Sequence, residues 1–168
     1  VLMKQLSEKQ ITIKKELIDL RELAKEAMTY SNVTGDATLS IKFSPKYFPV
    51  NLDRILFRQV LYNLFINAIQ AMPNGGEIRM DLRKLENGRI LLCVSDQGVG
   101  IEEMVMKKIF EPLFTNKNEG VGLGLSLCRE LVTRHGGSIM AKSSPNQGTT
   151  IEIELPGENS VAQKEERV

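Results

Sequence analysis

Net charge, membrane-length apolar runs, cysteine and histidine are all scarce in this chain, and each scarcity removes a class of function. The formal net charge is +1 over 168 residues, so there is no basic footprint for nucleic acid and no acidic solvating tail. No apolar run approaches the length of a spanning helix, and no signal peptide opens the sequence. Cys93 and Cys128 lie in apolar contexts without CxxC spacing or a His/Cys cluster. Neither a disulfide framework nor a zinc site is expected from them, and a reducing, cytoplasmic setting is the default. The single histidine, His135, precedes Gly136-Gly137 at the end of an expected helix, where a dipole-stabilising cap is the expected role rather than catalysis. The chain opens on Val1, as expected of a piece of something longer.

What is present suits one globular domain: 42% hydrophobic and 26% charged residues, with length enough for a proper core. Residues 1–10 read as a helix end or linker, 11–156 as one domain without repeats, and 157–168 as a polar, disordered tail. Periodicity predicts an edge strand over 11–14, a helix from Leu17 to Tyr30, and strands over 37–43 and 46–50. A long helix follows from Arg54 to Met72, N-capped by Asp53 and stopped by Pro73-Asn74-Gly75-Gly76. Ile78, Met80 and Leu82 alternate as a strand does, Asn87-Gly88 signals a two-residue hairpin turn, and Arg89–Val94, apolar on both faces, reads as a central strand. A short helix is expected over Glu102–Phe110, a loop over 112–121, a helix over Gly122–His135, and strands over Ser138–Lys142 and Thr149–Leu155. Helices alternating with antiparallel hairpins, without βαβ regularity, predict an α+β two-layer sandwich: a mixed, mostly antiparallel sheet packed on about three helices.

Four constellations carry chemistry. Gln59, Asn63, Asn67 and Gln70 share one face of the long, otherwise apolar helix. Buried amides need partners, and a carboxamide oxygen is a hard donor that suits Mg²⁺; an ordinary solvent-facing polar stripe fits the same spacing. Asp96-Gln97-Gly98-Val99-Gly100-Ile101 follows the central strand, where a carboxylate can accept from an exocyclic amine and glycines let backbone approach a ligand; a tight Asx-capped turn reads the same way. Gly120-Val121-Gly122-Leu123-Gly124-Leu125 leads into a helix, whose first amides form an anion site, with Lys117 just upstream as a point charge. A hinge would use the same glycines. The dinucleotide fingerprint differs, being GxGxxG after a first strand of a βαβ unit. Gly148-Thr149-Thr150 opens the last strand and alone would be only a turn.

In this order the motifs resemble the catalytic ATP-binding domain of sensor histidine kinases, in the superfamily of gyrase, the mismatch-repair ATPase and the ninety-kilodalton heat-shock chaperone. The resemblance spans roughly Leu17 to Pro156: QVLYNLFINAIQAM is similar to the N box, DQGVGI, GVGLGLSLC and GTTIEIELP to the three G boxes, and IFEPLFTNK to the F box. NAIQAMPNGG and the short lid resemble the nitrogen-regulation and sporulation subclass. The resemblance implies a Bergerat-type fold binding ATP and Mg²⁺. Asn67 would be the main metal ligand, Asn63 would assist at metal or phosphate, and Gln70 would lie near the phosphates. Asp96 would bond the adenine amine, with Thr149 helping through a water. Gly98, Gly100 and Ile101 would line the adenine pocket. Lys117, Gly120, Val121, Gly122, Leu123, Gly124 and Leu125 would form the lid region, anchored by Phe110 and Phe114.

Two positions depart from the pattern: Gln70 stands where many relatives carry Lys or Arg, and Asn118-Glu119 where small residues are common. In the superfamily's ATPases a Glu one turn before the metal Asn activates water; here that position is Asn63, and an amide cannot act as a general base. The expectation is negligible hydrolysis and transfer to a separate acceptor, with an anti-sigma-type Ser kinase or an ATPase as alternatives. The implied partners are ATP/ADP, the protein's own His-bearing dimerisation hairpin, for which residues 1–10 would be a stub, and a response regulator receiver domain. The piece itself is expected to be monomeric, and the whole protein a homodimer, membrane-anchored or soluble.

Overall fold

The computed structural model describes residues 12–30, 39–43, 49–114 and 124–157. The element order is β1 (Glu16–Ile18), α1 (Leu20–Tyr30), β2 (Leu39–Phe43), β3 (Val50–Leu52), α2 (Arg54–Ala71), β4 (Gly76–Lys84), β5 (Ile90–Asp96), α3 (Glu103–Met106), α4 (Gly124–Arg134), β6 (Ser138–Ser143) and β7 (Thr149–Leu155). A five-stranded sheet runs β2-β4-β5-β7-β6, with β2 parallel to β4 and every other pair antiparallel; β1 and β3 form a separate two-stranded sheet. Strand β5 is central, as its two-faced apolarity predicts.

Helices α1, α2 and α4 cover one face of the sheet. Ile78, Met80 and Leu82 of β4, Ile90, Leu92 and Val94 of β5, and Ile151, Ile153 and Leu155 of β7 alternate onto that face and join the core. The opposite face carries Arg79, Asp81, Arg83, Lys142 and Glu152, with ion pairs Arg79–Asp81 and Lys142–Glu152. This one-wet-face arrangement suits a mostly antiparallel sheet. The expected two-layer sandwich on about three helices is the observed fold, with α3 as an extra single turn.

Helix α2 is the spine. Phe57, Val60, Leu61, Leu64, Phe65 and Ala68 are buried at helical spacing. Its N-cap is Asp53 as expected: Oδ1 accepts from Ile55 and Leu56 N–H, both at 3.1 Å, while Oδ2 accepts from Lys14 N–H at 2.9 Å. The helix ends one residue before the expected Met72, which serves as C-cap.

Several boundaries differ from the sequence expectation. The first strand is at 16–18 rather than 11–14, because Lys14 gives its N–H to the Asp53 cap and Ile18, 1% exposed, is the residue that docks into the core. Helix α1 starts at Leu20 rather than Leu17, since Asp19 Oδ1 accepts from Arg21 N–H at 2.8 Å and caps it there. The strand expected at 46–50 is Val50–Leu52, paired with β1; 46–48 lie outside the described residues, as do 37–38 of the strand found at 39–43. The helix expected over 102–110 stops at Met106: α3 buries no residue and Glu102 makes no side-chain cap bond. Residues 122–123 of the next expected helix lie outside the description, and α4 ends at Arg134. The hairpin turn is not a two-residue one. Gly88 N–H bonds the Leu85 carbonyl, Leu85 and Arg89 still pair, and only Gly88, at φ +79°, is left-handed. A two-residue type I′ turn would need Asn87 there as well, so a three-residue loop closes the hairpin. Residues 1–10, expected as linker, lie outside the described residues together with residue 11, as do 158–168 of the tail expected over 157–168.

His135 is not the charged dipole cap expected. It is 1% exposed, and its Nε2 accepts the Asp53 backbone N–H at 3.0 Å. The ring proton is then on Nδ1, which donates to the Leu131 carbonyl at 2.7 Å. A neutral imidazole thus ties the end of α4 to the N-cap of α2, edge-on to the Phe57 ring. Burial holds its pKa below the ordinary imidazole value and Lys15 adds to this, against the opposing pull of the Leu131 carbonyl and the Asp53 carboxylate. The unfolded chain therefore takes up a proton below about pH 6.5 that the folded chain refuses. Stability should be level above that value and fall as pH drops beneath it, by up to about 1.4 kcal/mol per pH unit, until the ring's own lowered pKa is reached. As His135 is the chain's only histidine, urea midpoints between about pH 7 and pH 5.5 measure this directly. A His135→Gln variant should start less stable and lose the slope.

Candidate functional site

End residues of three neighbouring strands share one register row: Asp96, last of β5, pairs with Thr149, first of β7, which pairs with Ser143, last of β6. Asp96 follows Leu92 and Val94 at two-residue steps, and Thr149 precedes Ile151 and Ile153, so all of these face the helix layer. A carboxylate and two hydroxyls thus replace the apolar side chains at the end of the core face.

The Asp96–Ile101 loop is clamped on both sides. Asp96 Oδ1 accepts from Gly98 N–H at 2.8 Å and Thr149 N–H at 3.2 Å. Val99 N–H bonds the Ala71 carbonyl at 3.1 Å, tying the loop to the end of α2. On the other side, the Val99 and Gly98 carbonyls accept from Asn146 and Gly148 N–H, at 2.7 and 3.0 Å. Glycine is required at the contacts: a Cβ at Gly98 would lie 2.5 Å from the Ala71 Cβ, and one at Gly148, φ +74°, would lie 2.0 Å from the Asp96 carbonyl.

Asn63, Asn67 and Ala71 follow one another at four-residue steps down α2, so the amides share the face that Gly98 touches. Opposite the amides is Gly124, first residue of α4: a Cβ there would be 3.9 Å from Asn63 Cγ and 3.9 Å from Asn67 Nδ2. The N-terminus of α4 therefore abuts the amide stripe. Asn63 Nδ2 is buried without a hydrogen-bond partner among the described residues, and Gln59 Nε2 reaches its Oδ1 only at 3.4 Å. A buried amide N–H in that position calls for an oxygen acceptor. Cys128, one turn further along α4, bonds the Val60 carbonyl at 3.7 Å; burial pushes its thiol up to about 12, opposed by the Asn63 side chain, whose amide lies beside the sulfur but outside hydrogen-bond geometry, so the thiol is an inert packing group and a poor substitute for an oxygen acceptor.

Of the residues singled out from sequence, Asn63, Asn67, Asp96, Gly98, Gly100, Ile101, Gly124 and Thr149 converge on this end of the sheet and α2. Gln70 is on the same helix but exposed, and Leu125 packs against the core. Phe110 lies in the turn after α3, beneath the Arg129 guanidinium at 5.8 Å, and Phe114 is half-buried. Lys117, Gly120, Val121, Gly122 and Leu123 lie outside the described residues. Sequence reasoning missed Ala71 and Ser143. Ser143 Oγ accepts from Ile101 N–H at 2.9 Å and donates to the Gly148 carbonyl at 2.7 Å. No motif marks it; its row position emerges only from strand register.

The sequence model for the "Histidine kinase-, DNA gyrase B-, and HSP90-like ATPase" family matches residues 52–159, and the chain belongs to that family. It is an ATP-binding domain of the histidine kinase type. It is 41% identical over 108 residues to the signal transduction histidine-protein kinase AtoS of Escherichia coli K12, covering 64% of this chain and 18% of that protein. To sporulation kinase E of Bacillus subtilis it is 34% identical over 138 residues, covering 82% and 18%. The chain thus spans about a fifth of the length of these relatives. Among solved structures, the mycobacterial sensor histidine kinase MprB superposes with a TM-score of 0.74 at 26% identity, covering 86% of this chain and 98% of that one. The catalytic domain of histidine kinase ThkA gives 0.69 at 30% identity, covering 85% and 95%.

The clamp predicts a sharp steric effect. Gly98→Ala should cost about 1–3 kcal/mol in urea unfolding by prying the loop from Ala71. Gln97→Ala, at an exposed neighbour, should cost less than about 0.5 kcal/mol.

Proposed function

We propose that this domain binds ATP with Mg²⁺ and donates the γ-phosphoryl group to a histidine on a separate dimerisation hairpin, for relay to an aspartate of a response regulator receiver domain. The observation that carries it is the shared face: the Asp96–Thr149 row is tied through Gly98 and Ala71 to the helix face bearing Asn67 and Asn63, whose Nδ2 has no oxygen acceptor among the described residues and which faces Gly124. Adenine would lie against Asp96, Thr149, Gly98, Gly100 and Ile101, and the phosphates between α2 and the start of α4. Among the described residues there is no cluster of three or more His, Cys, Asp or Glu to hold a metal. A metal at this site would therefore be held by hard, neutral oxygens, the Asn67 and Asn63 carboxamides, together with water and phosphate, which is the donor set Mg²⁺ accepts. When bound, Mg²⁺ would neutralise charge on the phosphates. The chain's own residues would position the nucleotide: Asp96 orients the base, the first amides of α4 receive phosphate oxygens, and Lys117 with Gly120, Val121, Gly122 and Leu123 covers them. Transfer breaks the bond between the γ-phosphorus and the ADP oxygen and forms a bond to an imidazole nitrogen of the acceptor. Asn63 cannot deprotonate water, which disfavours hydrolysis.

The proposed catalytic unit is residues 11–156, monomeric by itself, in a whole protein that dimerises through the hairpin, with the domain on the cytoplasmic side. Among the described residues no helix is long and apolar enough to cross a membrane.

Calorimetry with Mg²⁺ and ATP tests the pocket. Asp96→Asn should weaken binding on the order of tenfold to a hundredfold, the cost of one pocket partner. Unchanged affinity in that variant removes Asp96 from base recognition. Mixing the domain with an isolated His-bearing hairpin should yield acid-labile phosphate. Acid-stable phosphate would instead indicate a Ser kinase, and turnover without any acceptor an ATPase.

A further inference from the structure

The hydroxyl protons along the Asp96–Thr149–Ser143 row can be assigned one by one. Ser143 has a single hydroxyl proton, and the Gly148 carbonyl 2.7 Å away can only accept, so the proton goes there. Ile101 N–H donates into Ser143 Oγ at 2.9 Å. The 3.0 Å contact between Ser143 Oγ and Thr149 Oγ1 must then carry the Thr149 proton. Thr149 makes no other side-chain hydrogen bond among the described residues, so its hydroxyl presents lone pairs only. Its row neighbour Asp96, when ionised, is an acceptor as well. A ligand edge laid on this pair meets acceptors and no donor.

We propose that Ser143 is a positioning residue for base selection: by holding the Thr149 proton it commits the row to a nucleobase with an exocyclic amine and turns it against one with a carbonyl at the same place. This rests on the nucleotide reading above and concerns which purine that site takes. A 6-oxopurine would bring its carbonyl oxygen against a carboxylate and a hydroxyl whose proton is engaged elsewhere, and unpaired acceptors facing one another discriminate against that base. Without the Ser143 hydroxyl, the Thr149 hydroxyl is released to turn and donate to that carbonyl.

The test is the ratio of ATP to inosine triphosphate affinity, measured by calorimetry in Mg²⁺ on the whole chain. The parent should prefer ATP. In Ser143→Ala the ratio should fall by about fivefold to tenfold, the worth of one redirected hydrogen bond. Ser143→Thr, which keeps the hydroxyl, should restore the parent ratio, and adding Ser143→Ala to Thr149→Val should change it no further. A merely structural role for Ser143 would lower both affinities in parallel; an unchanged ratio in Ser143→Ala therefore overturns the inference while leaving the nucleotide reading intact. A parent chain that binds neither triphosphate overturns both.

Discussion

The contact between Gly98 and Ala71 sets where everything in the site stands. Val99 N–H bonds the Ala71 carbonyl, and the absence of a Cβ at residue 98 lets the loop seat on the end of α2 at that distance. The same loop carries Asp96 on one side and bonds the β6–β7 turn on the other. A loop is a poor platform for recognition unless something rigid holds it. Here a helix end and a strand turn hold it from opposite sides, and backbone bonds do the holding, so the arrangement tolerates variation in most side chains.

Helix α2 has two tasks that conflict physically. Six of its residues are buried and anchor the core, yet its amide stripe must stay available to a ligand. The conflict is resolved by position: the polar face turns to the N-terminus of α4, where Gly124 supplies no side chain to fill the gap, and among the described residues Asn63 Nδ2 has no oxygen acceptor. Leaving a buried donor unpaired costs free energy, and function is a good reason to carry that cost. At the far end of the two helices the opposite rule holds. Asp53, His135 and Leu131 satisfy one another completely, and the neutral ring pins α2 to α4.

The layer of the sheet and the identity of its central strand were legible in residue patterns, because alternation and two-faced apolarity follow from strand geometry alone. Asp53 was recognisable as a cap for the same local reason. Asp19 was not, since the apolar stripe of α1 can be extended back to Leu17 without breaking its period, and only the pairing of β1 with β3 removes Leu17 from the helix. Asn87-Gly88 marked a turn correctly and its type incorrectly; the strands' hydrogen-bond register, extending to Leu85 and Arg89, decided that. His135 read as a charged cap because its position before two glycines says nothing about the element waiting to bury it.

By itself the sequence determined the chemical types at the site and their family: carboxamides on one helix face, a carboxylate ending a strand, and glycines at each close approach, all of which are matters of local spacing. Tertiary structure alone decided what those groups face. That Ser143 closes a hydroxyl row with Thr149 and Asp96, that Ala71 is the seat of Gly98, and that the only histidine is a neutral brace are facts of register and packing between segments far apart in the chain. No local pattern encodes them, because a hydrogen-bond partner across strands or helices is selected by the whole core as it closes.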